Sequence, residues 1–114
     1  MVIPERLKIG GHIYDVIYPY SFTERGDRKA DHCGIENTIR IDPRDCYSHE
    51  ICPESSIAVT FLHEILHACD RLTGDMLFRG DDGEKCIEGL SESLFQILRD
   101  NKLDFSNEVQ IEKG

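Results

Sequence analysis

No stretch of this 114-residue sequence approaches the roughly 20 consecutive apolar residues of a membrane span. The opening residues, Met1 to Gly11, lack both the apolar centre and the small-residue cleavage site of a secretory leader. Together these absences predict a cytoplasmic protein with no membrane partner. No cysteine pair has the CxxC spacing of a zinc knuckle or redox motif, and the five cysteines (Cys33, Cys46, Cys52, Cys69, Cys86) are an odd number, so reduced thiols are expected. Cys46, His49 and Cys52 cluster, but at spacings that match no common zinc template. Basic charge is also scarce: 13 Lys and Arg stand against 22 Asp and Glu, a net charge of −9. A nucleic-acid binder needs a basic patch to neutralise phosphates, so no nucleic acid is expected as partner. Repeats, low-complexity segments and linkers are absent, and the length fits a single domain, residues 1–114, with room for one site.

What is there reads as strands followed by helices. Leu7 to Ile9 and His12 to Tyr18 flank Gly10 and Gly11, a glycine turn that predicts a β-hairpin because glycine accepts positive φ. Tyr20 to His32 is polar and reads as a loop. Ile35, Ile39 and Ile41 alternate with Glu36, Thr38 and Arg40, the period of two of a half-buried strand, which Pro43 ends. A helix is expected from near Pro53, Ser55 and Ser56 to about Leu72. Its apolar stripe is Ile57, Phe61, Ile65, Cys69 and Leu72, with Thr60, His63 and His67 on another side, facing a cleft. A second helix is expected from Asp81 to about Asp100 and Asn101, with an apolar face of Ile87, Leu90, Leu94, Ile97 and Leu98. Residues 103–114 form an acidic tail. The expected class is α+β: a small N-terminal antiparallel or mixed sheet packed beside two helices.

The chemistry is concentrated in the run Thr60 to His67, which contains His63-Glu64-Ile65-Leu66-His67, an HExxH motif inside the predicted helix. Four residues make slightly more than one helical turn, so the two imidazoles project side by side and can close on one tetrahedral metal ion. Glu64, one step round the helix, is directed towards the remaining coordination position, where it can take a proton from water activated by the metal. The expectation is one zinc per chain, since imidazole and carboxylate donors suit that ion.

A catalytic zinc site has three protein ligands and one open position. The extended HExxHxxGxxH pattern is absent, because Asp70 and Thr73 stand where its glycine and histidine would be. An acidic residue of the second helix is the natural third ligand. Glu84, Glu88 and Glu92 form an i, i+4 row with about 6 Å between successive members, so only one reaches a given metal. Glu84 has a simpler role: three positions after Asp81, it resembles the partner in a capping box. Glu88, in mid-row beside the apolar face, is therefore the expected ligand. Glu92 is either an exposed helix residue or a carboxylate that orients a ligand histidine. Asp70 and Asp75 are weaker alternatives for the third ligand.

The HEILH run, followed after twenty residues by Glu88-Gly89-Leu90-Ser91-Glu92-Ser93-Leu94-Phe95-Gln96-Ile97-Leu98, resembles the smallest glutamate zincins. It is similar to short phage and bacterial proteins of the ImmA/IrrE-like metallopeptidase group and to the minigluzincins, over roughly residues 35 to 101. The resemblance implies a small twisted sheet beside an active-site helix, zinc on His63, His67 and Glu88, and Glu64 as general base. It further implies a peptide or protein substrate bound in extended form along a sheet edge, the strand from Asn37 to Asp42. The function expected is zinc-dependent peptide hydrolysis. The alternative is a zincin-like module that keeps its metal and binds a partner protein without cutting it. Larger members have a second subdomain completing the cleft, for which this chain has no room. The sequence leaves the oligomeric state open.

Overall fold

A computed structural model of the chain describes residues 2–21, 30–33, 36–45, 47–72 and 77–106. Strands β1 (Arg6–Ile9) and β2 (His12–Ile17) form the expected hairpin, Leu7 opposite Tyr14 and Ile9 opposite His12. Only Gly10 of the turn pair uses the left-handed region, with φ +61°. The stretch expected to be loop up to His32 instead ends in a strand, β3 (Ala30–Cys33). It pairs antiparallel with β4 (Thr38–Ile41), the strand that the alternation of isoleucines marks. β4 also pairs in parallel with β2, Val16 opposite Ile39, so the mixed sheet runs β1-β2-β4-β3.

This order corrects one expectation. The strand within Asn37 to Asp42 has neighbours on both sides, so its backbone groups are already used and it offers no edge to a peptide. Among the described residues the edges are β1 and β3.

Alternation sets the two faces of the sheet. Tyr14, Val16, Ile39 and Ile41 point to the core with Ile9, while Ile13, Asp15 and Ile17 of β2 point outward. Helix α1 (Glu54–Leu72) covers the inner face with Ile57, Phe61 and Ala68, and packs against β3, β4 and β1. Its bounds are those expected, but its buried face is not the stripe read from the sequence. Cys69 is exposed and Leu72 is 47% exposed, whereas Glu64 and Ala68 are buried. A row of i+4 steps drifts about 40° per step around a helix, so by Cys69 it has left the face on which Ile57 began. The face that stays in line is 57, 61, 64 and 68, and the small Ala68 lets the helix lie close to the sheet.

The chain turns from β4 into α1 through a corner built on Asp42. This buried carboxylate accepts the Arg44 backbone N–H and Nε on Oδ1 (both 3.0 Å) and Nη2 on Oδ2 (2.9 Å). The same hydrogen bonds hold the Arg44 guanidinium above its ordinary pKa. Cys52, bonded through its N–H to the Pro43 carbonyl (2.7 Å), packs against the core just before the helix begins.

Helix α2 (Gly80–Asp100) lies on the far side of α1 and, among the described elements, touches nothing else. Its buried residues are Gly83, Ile87 and Ser91, one per turn. Two small residues around Ile87 allow close approach, and full burial of an isoleucine contributes about 1.5–3 kcal/mol. The Ser91 hydroxyl donates to the Ile87 carbonyl, so its burial leaves no donor unsatisfied. Of the expected apolar face, Ile87 is buried, Leu94 and Leu98 are half-buried, and Leu90 and Ile97 are exposed. No helix of the described residues is long and apolar enough to cross a membrane.

Candidate metal centre

His63 and His67 stand one turn apart on α1 beside the buried 57, 61, 64 and 68 face, about 100° and about 60° round the helix from Glu64. Their rings tilt together, centroids 4.7 Å apart, and bring the two Nε2 atoms to 3.0 Å. The third group is Glu84, in the second turn of α2: Oε1 lies 2.6 Å from His63 Nε2 and Oε2 lies 2.9 Å from His67 Nε2. Two imidazole nitrogens and a carboxylate thus lie close together, an arrangement that a cation between them would stabilise. Among the described residues this is the one group of three donors that can hold a metal ion. Donors about 2.0–2.1 Å from a tetrahedral ion sit about 3.3 Å from each other, wider by about 0.3–0.7 Å than the 2.6, 2.9 and 3.0 Å here. The histidine side chains are mostly buried and Glu84 is 45% exposed, so the cluster opens to solvent on the α2 side.

The structure therefore brings together His63 and His67 as the sequence indicates, but with Glu84 in place of Glu88. Glu88, one turn further along α2, is exposed and outside the group. The capping role assigned to Glu84 is also absent: α2 starts at Gly80, with Arg79 in the N-cap position and no side-chain cap bond. Asp81 and Asp82 already supply the negative charge that favours a helix N-terminus, which leaves Glu84 free of that duty. Glu92 is exposed and Asp75 lies outside the described residues. Asp70 is buried, and both its carboxylate oxygens accept backbone N–H groups, from Leu77 (2.8 Å) and Phe78 (3.0 Å). Of the cysteine–histidine cluster, Cys52 packs on the core, His49 is exposed and Cys46 lies outside the described residues. Cys52, Cys69 and Cys86 are free thiols.

Glu64 is 7% exposed, next to His63 in sequence and on the sheet side of α1. None of the buried side-chain oxygens or nitrogens among the described residues lacks a hydrogen-bond partner.

One signal in the sequence was enough to find Glu84. Two helices joined by a short connection run antiparallel, so residues equidistant from the connection lie level with one another. His67 is five residues from the end of α1 and Glu84 is four residues into α2. At about 1.5 Å of rise per residue the two are level, whereas Glu88 stands a turn beyond.

An apolar groove of about 690 Å³ lies elsewhere, between α1 (Ala58, Phe61, Leu62, Ile65) and the end of α2 (Phe95, Leu98), with Glu54 and Arg99 also in its lining. It shares no residue with the donor cluster. No protein-family model, no curated protein and no solved structure matches this chain.

Proposed function

We propose that the protein is a zinc-dependent peptidase in which His63, His67 and Glu84 hold one zinc ion per chain and Glu64 is the general base. The observation that carries this reading is the convergence of two imidazole nitrogens, 3.0 Å apart, on one carboxylate, whose Oε1 lies 2.6 Å from His63 Nε2 and whose Oε2 lies 2.9 Å from His67 Nε2. Two nitrogens and one oxygen are a donor set of catalytic zinc, and three protein donors leave a fourth position open. When bound, zinc supplies a Lewis acid and lowers the pKa of water at that position.

The chain's own residues do the rest. Glu64, adjacent to a ligand histidine, accepts the proton of the attacking water and returns it to the leaving amine. Oxygen ligation by Glu84 gives the two histidines a net −1 companion, which offsets part of the charge of a divalent ion. An extended peptide adds to a sheet only at an edge strand, and of the two edges α1 packs more extensively against β3 than against β1.

The test is a side-by-side measurement of zinc content, peptide-library cleavage and partner capture for wild type and Glu64→Gln, with metal-free protein as blank. The amide keeps the shape but cannot carry the proton, so zinc stays while cleavage falls about 10²–10⁴-fold. Equal cleavage by both proteins refutes Glu64 as base. Zinc in both, with no cleavage of any peptide and capture of the same partner, refutes the peptidase and leaves the metal-bearing recognition module.

A further inference from the structure

We infer that Asp70 is a positioning residue for the metal site: its carboxylate fixes where α2 begins, and so decides that Glu84 rather than Glu88 meets the two histidines. The inference rests on reading His63, His67 and Glu84 as metal ligands. Glu84, Glu88 and Glu92 repeat at one-turn intervals, so the glutamates are chemically equivalent and only the axial setting of α2 against α1 distinguishes them.

That setting is made by a short chain of contacts. Asp70 stands one turn after His67 on α1 and is 6% exposed. Its Oδ1 accepts the N–H of Leu77 and its Oδ2 the N–H of Phe78, two amides that precede α2 and have no helical ladder of their own. A carboxylate that accepts two backbone N–H groups binds them more strongly than a neutral acceptor would. Phe78 is then a stop for the helix: a Cβ built on Gly83 would lie 2.6 Å from the Phe78 carbonyl oxygen and 2.7 Å from its Cα. Only glycine permits that approach, and the Gly83 N–H closes the first turn on the Arg79 carbonyl (3.3 Å). Glu84 is the next residue. Moving Glu88 into its place requires a slide of about 6 Å, which either carries Phe78 along and breaks both bonds to Asp70 or leaves Phe78 behind and separates it from Gly83.

The experiment is a double-mutant cycle on zinc affinity, measured by competition with a chromogenic chelator, with cobalt(II) absorption as a second readout of coordination. Asp70→Asn, which keeps one acceptor oxygen, and Asp70→Ala are each made with and without Glu84→Ala. The expected result is a loss of about 10–100-fold in affinity for either Asp70 variant when Glu84 is present, the range seen when a group behind a ligand is removed. The cobalt spectrum should change in the same proteins. In the Glu84→Ala background the same substitutions should change affinity less than twofold, since there is no third donor left to misplace. A role in stability alone lowers the melting temperature of the metal-free protein and shifts affinity equally in both backgrounds; that outcome overturns the inference. If Asp70→Ala does not fold, Asp70→Asn and Gly83→Ala, which forces α2 away from Phe78, complete the cycle. A wild-type protein that binds no zinc overturns the metal reading and this inference together, whereas zinc binding with an additive cycle overturns this inference alone.

Discussion

Exchange of the third ligand gives the sharpest test of the site. Zinc that binds the folded chain alone stabilises it by RT ln(1 + [Zn]/Kd), about 2.7 kcal/mol when free zinc is 100 times Kd. For a chain of about this size each kcal/mol raises the melting temperature by roughly 4–8 °C, so the expected upward shift is about 10–20 °C. Glu84 contributes one of three donors, at 2.6 Å and 2.9 Å from the histidine nitrogens. If Glu84→Ala weakens binding about 100-fold, free zinc merely equals the new Kd, the stabilisation drops to about 0.4 kcal/mol and the shift to about 2–3 °C. Glu88 is exposed and outside the cluster, so Glu88→Ala should keep the full shift. Scanning calorimetry or dye-based melting of the three proteins, with and without zinc at matched free concentration, measures all of this. The reasoning is refuted if Glu88→Ala loses the shift while Glu84→Ala retains it, because α2 would then sit one turn from where the structure has it.

Other expectations follow from the core and the hairpin. Ile39 is fully buried at the centre of the sheet, and Ile39→Ala should cost about 2–5 kcal/mol through lost burial and the cavity left behind. In urea the midpoint should fall by roughly 1 M or more with little change in slope. Gly10→Ala forces an L residue to φ +61° with its Cβ 2.8 Å from a Leu72 methyl, a loss of about 1–2 kcal/mol in the same assay. Gly11→Ala, in open space without a positive φ, should stay within about 0.5 kcal/mol of wild type. Together with Glu64→Gln, which separates turnover from metal retention, these variants report on sheet, turn and site independently.

Much of this architecture was legible from local pattern, and what was not has identifiable causes. The hairpin, β4 and both helices follow from glycine placement and apolar periodicity, which act within a few residues of the chain. β3 escaped because Ala30-Asp31-His32-Cys33 has no alternating pattern, and its strand character comes from pairing with β4. The face of α1 was misjudged by following i+4 steps, which drift, instead of the mixed i+4 and i+3 steps that stay on one side. Glu84 was misread because an acidic residue early in a helix has a sufficient local explanation. Its partners lie across the helix pair, and only the level of each residue above the connection between the helices reveals them.

The layering has a consequence for how firmly each part is held. α1 is sandwiched between the sheet and α2, while among the described elements α2 leans on α1 alone, and its buried residues, Gly83, Ile87 and Ser91, all lie in its first twelve. From Glu92 onward α2 has no buried residue, so its last two turns gain little from the core. A helix held by so few buried residues is expected to open at a lower free energy than the sheet and α1. Two of the three donors belong to the firmly held unit and one to the loosely held unit. An ion held at the cluster would therefore act as a clasp between them, its binding free energy adding to the opening free energy of α2 while leaving local fluctuations of the sheet untouched. If the proposed ion binds there, its occupancy would set how often the second helix lifts away from the first.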